Sequence, residues 1–97
     1  MTPKLILYSR QNCCLCDEMK VVIRRVSEQI PIELREIDID GDAALRAQYD
    51  DEVPVLFIDG RKAFKYRATV VELISKLNRK RRPLLARVAR FMGKDSP

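Results

Sequence analysis

A chain of 97 residues is one domain's worth, long enough to bury a single core and too short for two. With 46% apolar and 34% charged residues it has the balance of a globular protein and not of a disordered one. The net charge of +5 is lopsided: residues 1–78 carry 12 Lys and Arg against 13 Asp and Glu, residues 79–97 carry 7 against 1, and the basicity therefore belongs to the C-terminal extension.

Leu5 to Tyr8 is a short unbroken apolar run, as expected for a strand buried on both faces of a layered sheet. Arg10 follows it instead of a small-residue cleavage site, so the run reads as neither a signal peptide nor a membrane span. A reducing cytoplasm is the expected compartment, where clustered cysteines are more often catalytic or metal-binding than structural. Three cysteines follow at once: Cys13, Cys14 and Cys16.

From there Leu15, Met19, Val22, Ile23, Val26 and Ile30 recur at three- and four-residue steps, the stripe of an amphipathic helix that Pro31 stops. Ile32, Leu34, Ile37 and Ile39 predict a second strand whose alternation slips near Arg35 and Glu36, which reads as a bulge. Ala43 to Tyr49 predicts a short helix capped by Asp42. Val55 to Ile58, Asp59-Gly60 and Lys62 to Tyr66 read as a hairpin. Thr69 and Glu72 have capping-box spacing, and Val70, Leu73, Ile74 and Leu77 form one face of a further helix.

The order βαβαββα implies a parallel first pair of strands, joined through a helix, with an antiparallel hairpin added. An α/β sandwich of thioredoxin type, a mixed sheet flanked by helices, is the expected fold. The domain is expected over residues 1–78 and a basic extension over 79–97. Within the extension, Leu84, Leu85, Val88, Phe91 and Met92 fall on one face with Arg87 and Arg90 opposite, which predicts an amphipathic helix at 83–92. It would dock on the domain or meet an anionic surface or acidic partner.

Spacing alone selects a pair of sulfurs. Adjacent Cα atoms are about 3.8 Å apart, below the usual lower limit of about 4.4 Å for a disulfide, which disfavours Cys13–Cys14. Cys14 and Cys16 would lie on nearly opposite sides of a helix. Cys13 and Cys16, three apart, converge. At the cap of a helix the Cys13 sulfur would face unpaired N–H groups and the positive end of the dipole, an environment that favours thiolate and makes Cys13 the nucleophile, with Cys16 as the resolving thiol. Arg10 is placed to hold a thiolate or an acidic substrate group, whereas Asp17 and Glu18 oppose it. Other readings of the same cysteines are an inert buried trio and a metal or iron–sulfur site. Three Cys and no His disfavour a closed four-ligand zinc site within one chain, and leave open a metal or cluster shared with a second chain or a small thiol. A non-catalytic adaptor on the same fold is a further reading.

The stretch "LYSRQNCCLCDEMK" followed by "DEVPVLFIDG" resembles the glutaredoxin-like branch of the thioredoxin-fold proteins over roughly residues 4–78. The residues that carry the resemblance are Tyr8, Ser9, Arg10, Cys13, Cys16, Val53 and Pro54. It implies a thiol–disulfide oxidoreductase that needs no cofactor, acts as a monomer on a disulfide-containing protein or small thiol, and is reset by thioredoxin or glutathione. It also implies that the Val53–Pro54 bond is cis and that Val53 pairs with an extended substrate. Two departures stand out. Phe64 and Lys65 occupy the positions of the family's common Gly-Gly, where side chains would crowd glutathione, and Glu52 replaces the usual Thr and would repel its carboxylate.

Overall fold

A computed structural model describes residues 2–81. The elements are β1 (Lys4–Ser9), α1 (Cys14–Ser27), β2 (Glu33–Asp38), a 3-10 turn at Ile39–Gly41, α2 (Ala43–Tyr49), β3 (Val55–Ile58), β4 (Arg61–Lys65) and α3 (Val70–Arg81). The helix expected at 83–92 lies outside the described residues. The expected boundary at 78/79 falls inside α3, which continues to Arg81.

The sheet has the order β2-β1-β3-β4, with β1 parallel to β2 and antiparallel to β3, and β3 antiparallel to β4. Central strand β1 is covered on both sides. Leu5 and Leu7 join Met19, Ile23 and Val26 of α1, Leu56 and Ile58 of β3, and Leu73 and Leu77 of α3 in the main core. On the other side Tyr8 packs with Ile39, Tyr49, Val55 and Phe57 in a smaller core, where the Tyr8 and Tyr49 rings stack at 4.8 Å between centroids. The apolar run thus reads as an uninterrupted string because it has no solvent face.

Each helix begins as its local sequence dictates. Asp42 caps α2 by accepting from the N–H groups of Ala44 and Leu45 at 2.9 and 3.2 Å. Thr69 and Glu72 close a reciprocal capping box: Glu72 N–H donates to Thr69 Oγ1 at 3.1 Å and Thr69 N–H to Glu72 Oε1 at 2.9 Å. Such a cap stabilises a helix by about 1 kcal/mol. In the hairpin, Asp59 and Gly60 have φ of 49° and 86°, the positive values that a two-residue turn between twisted strands requires.

The bulge expected in the second strand is absent there. β1 and β2 pair residue for residue from Lys4–Glu33 to Ser9–Asp38. Ile39 leaves the strand for the 3-10 turn, so the slip in alternation lies at the strand's end, and most of this edge strand is exposed and free of a strict pattern. The irregularity sits between β3 and β4 instead, where Leu56 faces Phe64 and Phe57 faces Lys62, leaving Ala63 as the extra residue.

Candidate active site

β1 ends at buried Ser9, and the chain turns through Asn12, whose φ of 56° is a left-handed value that Asn tolerates better than most residues. Cys13 follows as the cap of α1 with extended backbone. Its sulfur accepts the N–H of Cys16 at 3.1 Å, and its carbonyl accepts the N–H of Asp17 at 3.0 Å. A sulfur so placed receives one of the orphan N–H groups of the first turn and lies at the positive end of the helix dipole. Cys13 and Cys16 meet in a disulfide arrangement with Cα atoms 5.2 Å apart, inside the ordinary range. Cys13 is half-buried and Cys16 fully buried, whereas Cys14 is exposed and free. Among the described residues no three Cys, His, Asp or Glu side chains are grouped to hold a metal ion.

Val53 and Pro54 come to the same end of the sheet. The antiparallel register sets Val55 opposite Tyr8, so Pro54 lies at the end of β1 from which the cysteine loop departs. Pro54 is buried, and the Val53–Pro54 peptide bond is cis. Here Tyr66 makes contacts that no feature of the sequence signalled: its N–H donates to Pro54 C=O and its hydroxyl to Asp51 C=O.

Arg10 also stands at this end, but its guanidinium is occupied. Nη2 and Nε donate to the Asp40 carboxylate at 2.7 and 3.3 Å, and Nη1 donates to the Asp50 carboxylate at 2.8 Å and to the Asp50 carbonyl at 3.4 Å. Hydrogen bonds to Asp40 and then Asp50 raise its pKa further above the ordinary arginine value. The three residues tie the cysteine loop to the 3-10 turn and to the end of α2.

Glu52, expected as an uncompensated acid, is paired. Lys62 Nζ lies 2.9 Å from its carboxylate and Lys65 Nζ 3.9 Å away, and the bond from Lys62 holds Glu52 below the usual carboxylate range. Of the two residues at the Gly-Gly positions, Phe64 turns its ring toward the main core, with Lys76 Nζ 5.6 Å from its centroid. Only Lys65 is exposed.

The profile of the glutaredoxin-like domain (DUF836) matches residues 4–78. This chain belongs to the glutaredoxin-like domain family. The X-ray structure of XcR50 from X. campestris is 31% identical, covers 76% of this chain and 95% of its own, and superimposes with a TM-score of 0.67. The solution structure of Ne2328 from Nitrosomonas europaea is 32% identical, with 78% and 92% covered and a TM-score of 0.68. Thioredoxin 1 of Thermosipho africanus, 20% identical with 79% and 92% covered, matches at a TM-score of 0.59 and shares the fold. The glutaredoxin-like domain therefore has a thioredoxin-like α/β architecture, and no helix among the described residues is long and apolar enough to cross a membrane.

One polar cluster braces the strand that presents the cysteines. The hydroxyl of buried Ser9 donates to Glu36 Oε2 at 3.1 Å, and Lys20 of α1 reaches the same oxygen at 2.7 Å. The bond from Lys20 first, and that from Ser9, hold Glu36 below its ordinary pKa against the opposing effect of burial. A carboxylate with a lowered folded pKa contributes stability above its unfolded pKa and loses that contribution as pH falls through the folded value. Glu36→Gln should therefore be less stable than wild type at neutral pH, with the gap closing as acid protonates Glu36. Parallel denaturant titrations at neutral and acidic pH measure this; a gap independent of pH would show that the Glu36 charge contributes nothing.

Proposed function

We propose that this glutaredoxin-like domain is a thiol–disulfide oxidoreductase. The observation that carries the reading is the half-buried Cys13 sulfur at the head of α1, accepting the Cys16 N–H, with fully buried Cys16 one turn in as its partner. In the reduced protein, Cys13 thiolate attacks one sulfur of a substrate disulfide and expels the other as a thiolate, forming a mixed disulfide. Cys16, deprotonated, then attacks Cys13 Sγ and expels the second substrate thiolate. Two electrons pass to the substrate, whose two thiolates take up protons, and Cys13–Cys16 is left oxidised. An external dithiol, or two equivalents of a monothiol, returns it.

The substrate is a protein or small-molecule disulfide, and Val53 beside Pro54 offers backbone for an extended substrate to pair with. The cytoplasm is the compartment that suits a reducing cycle. Arg10, held by Asp40 and Asp50, is not presented to an anionic substrate group, which favours the thioredoxin system over glutathione as reductant.

The direct test mixes prereduced protein with hydroxyethyl disulfide in a single turnover and determines the product by mass spectrometry. The expected product is protein lighter by two hydrogens, with Cys13 joined to Cys16 and Cys14 unmodified. A stable adduct on Cys14 with Cys13 and Cys16 still reduced would refute the reading, and a visible absorption band with bound metal in freshly purified protein would replace it with the cluster alternative.

A further inference from the structure

Tyr66 follows β4 in a conformation that most side chains resist. Its φ is 69°, in the left-handed region where a bulky residue is strained. The N–H of Arg67 donates back to the Lys65 carbonyl at 2.8 Å, the i to i+2 bond of a γ-turn in its rare, positive-φ form. Such backbone persists only where its surroundings over-determine it.

Two bonds do that here. Tyr66 N–H donates to Pro54 C=O at 2.8 Å, and the Tyr66 hydroxyl donates to Asp51 C=O at 2.9 Å. One residue therefore grips the Asp51–Pro54 segment at both ends. The segment is tied further by Glu52 N–H on Tyr49 C=O at 2.9 Å and by Arg10 on Asp50 C=O at 3.4 Å. Between these tethers Val53 is half-buried, and among the described residues its N–H and C=O make no backbone hydrogen bond.

We propose that Tyr66 is a positioning residue for peptide substrates: it holds the Val53 backbone rigid and open, so that an extended chain carrying a disulfide adds to it as a strand and presents its sulfur to Cys13. The inference rests on the thiol–disulfide reading and deepens it, making this a site for peptide and protein disulfides. Holding the acceptor segment in its bound conformation removes the ordering cost that a mobile loop would impose on binding. A small disulfide without a peptide backbone cannot use the device.

The test mixes prereduced wild type and Tyr66→Phe with insulin and, separately, with hydroxyethyl disulfide over a range of concentrations. Tyr66→Phe should raise the half-saturating insulin concentration by about threefold to tenfold, the size of one lost intramolecular hydrogen bond. The limiting rate with insulin, the rate with hydroxyethyl disulfide and the Cys13–Cys16 reduction potential should not change. Tyr66→Gly, which suits a positive φ but lacks the hydroxyl, should show the same division between substrates. The Glu52 amide, bonded to Tyr49 C=O, should exchange with solvent faster in both variants. Unchanged insulin kinetics in Tyr66→Phe, or equal losses on both substrates, would overturn the proposal. Failure of wild type to reduce either disulfide would defeat the exchange reading and this one with it. Reduction of both by wild type and Tyr66→Phe alike would defeat only the role of Tyr66.

Discussion

Cys13→Ser should abolish disulfide exchange, while Cys14→Ser retains most of it. The two residues are neighbours, yet their surroundings differ. The Cys13 sulfur faces the Cys16 N–H at the cap of α1, and Cys14 is the exposed first residue of the helix. A serine hydroxyl in place of Cys13 keeps the cap but is a far poorer nucleophile than a thiolate and cannot form the mixed disulfide. Cys16→Ser should stall the reaction one step later, trapping the substrate on Cys13, because the group that would release it is gone. Limited alkylation with iodoacetamide at moderately acidic pH supplies the independent check: Cys13 should be labelled ahead of Cys14 and of buried Cys16. Equal labelling of all three in the folded protein, or loss of exchange on Cys14→Ser alone, would move the chemistry to a different sulfur.

Turnover with glutathione and its reductase should be at least about tenfold below that of an ordinary dithiol glutaredoxin assayed alongside, a difference of about 1.4 kcal/mol in binding. Three features bear on this, and they do not all point one way. Arg10 is bonded to Asp40 and Asp50, so its guanidinium is not offered to a carboxylate. Lys65 is exposed at one of the two positions that the resemblance to glutaredoxins matches with their common Gly-Gly. Against these, Glu52 is matched by Lys62 and Lys65, which removes most of the repulsion expected from its charge. The first two are expected to dominate, because Arg10 is held by several hydrogen bonds at once and the Lys65 side chain fills the approach sterically. Lys65→Gly should improve turnover, whereas Phe64→Gly would strip a partly buried ring from against the main core and lower stability. Robust reduction of a glutathione mixed disulfide by wild type would defeat this expectation and make the domain glutathione-dependent.

What could be read in advance follows the range of the interaction concerned. Cys13 with Cys16, Asp42 before Ala43, Thr69 with Glu72 and Asp59-Gly60 all act within one turn of chain, and there the residue types themselves dictate geometry: a sulfur or oxygen within reach of an orphan N–H, a pair able to take positive φ. The apolar periods of α1 and α3 were legible for the same reason, since a 3.6-residue repeat needs no knowledge of what it packs against. The part read for Val53–Pro54 came only through likeness to a family, because no local pattern tells a proline beside a cysteine pair from one that merely opens a strand.

By itself, then, the sequence determined the element order, the helix caps, the hairpin and the choice of sulfur pair, all from contacts between near neighbours in the chain. Tertiary structure decided which side chains remained available. Arg10 meets Asp40 and Asp50 across 30 and 40 residues, Glu36 meets Ser9 and Lys20 from a neighbouring strand and helix, and Tyr66 reaches Asp51 across 15. Charges and hydroxyls find such partners only when the sheet order β2-β1-β3-β4 brings distant loops to one end. The bulge moved from β2 to the β3–β4 pair for a related reason: register is a property of two strands, and one strand's alternation cannot disclose which partner absorbs an extra residue.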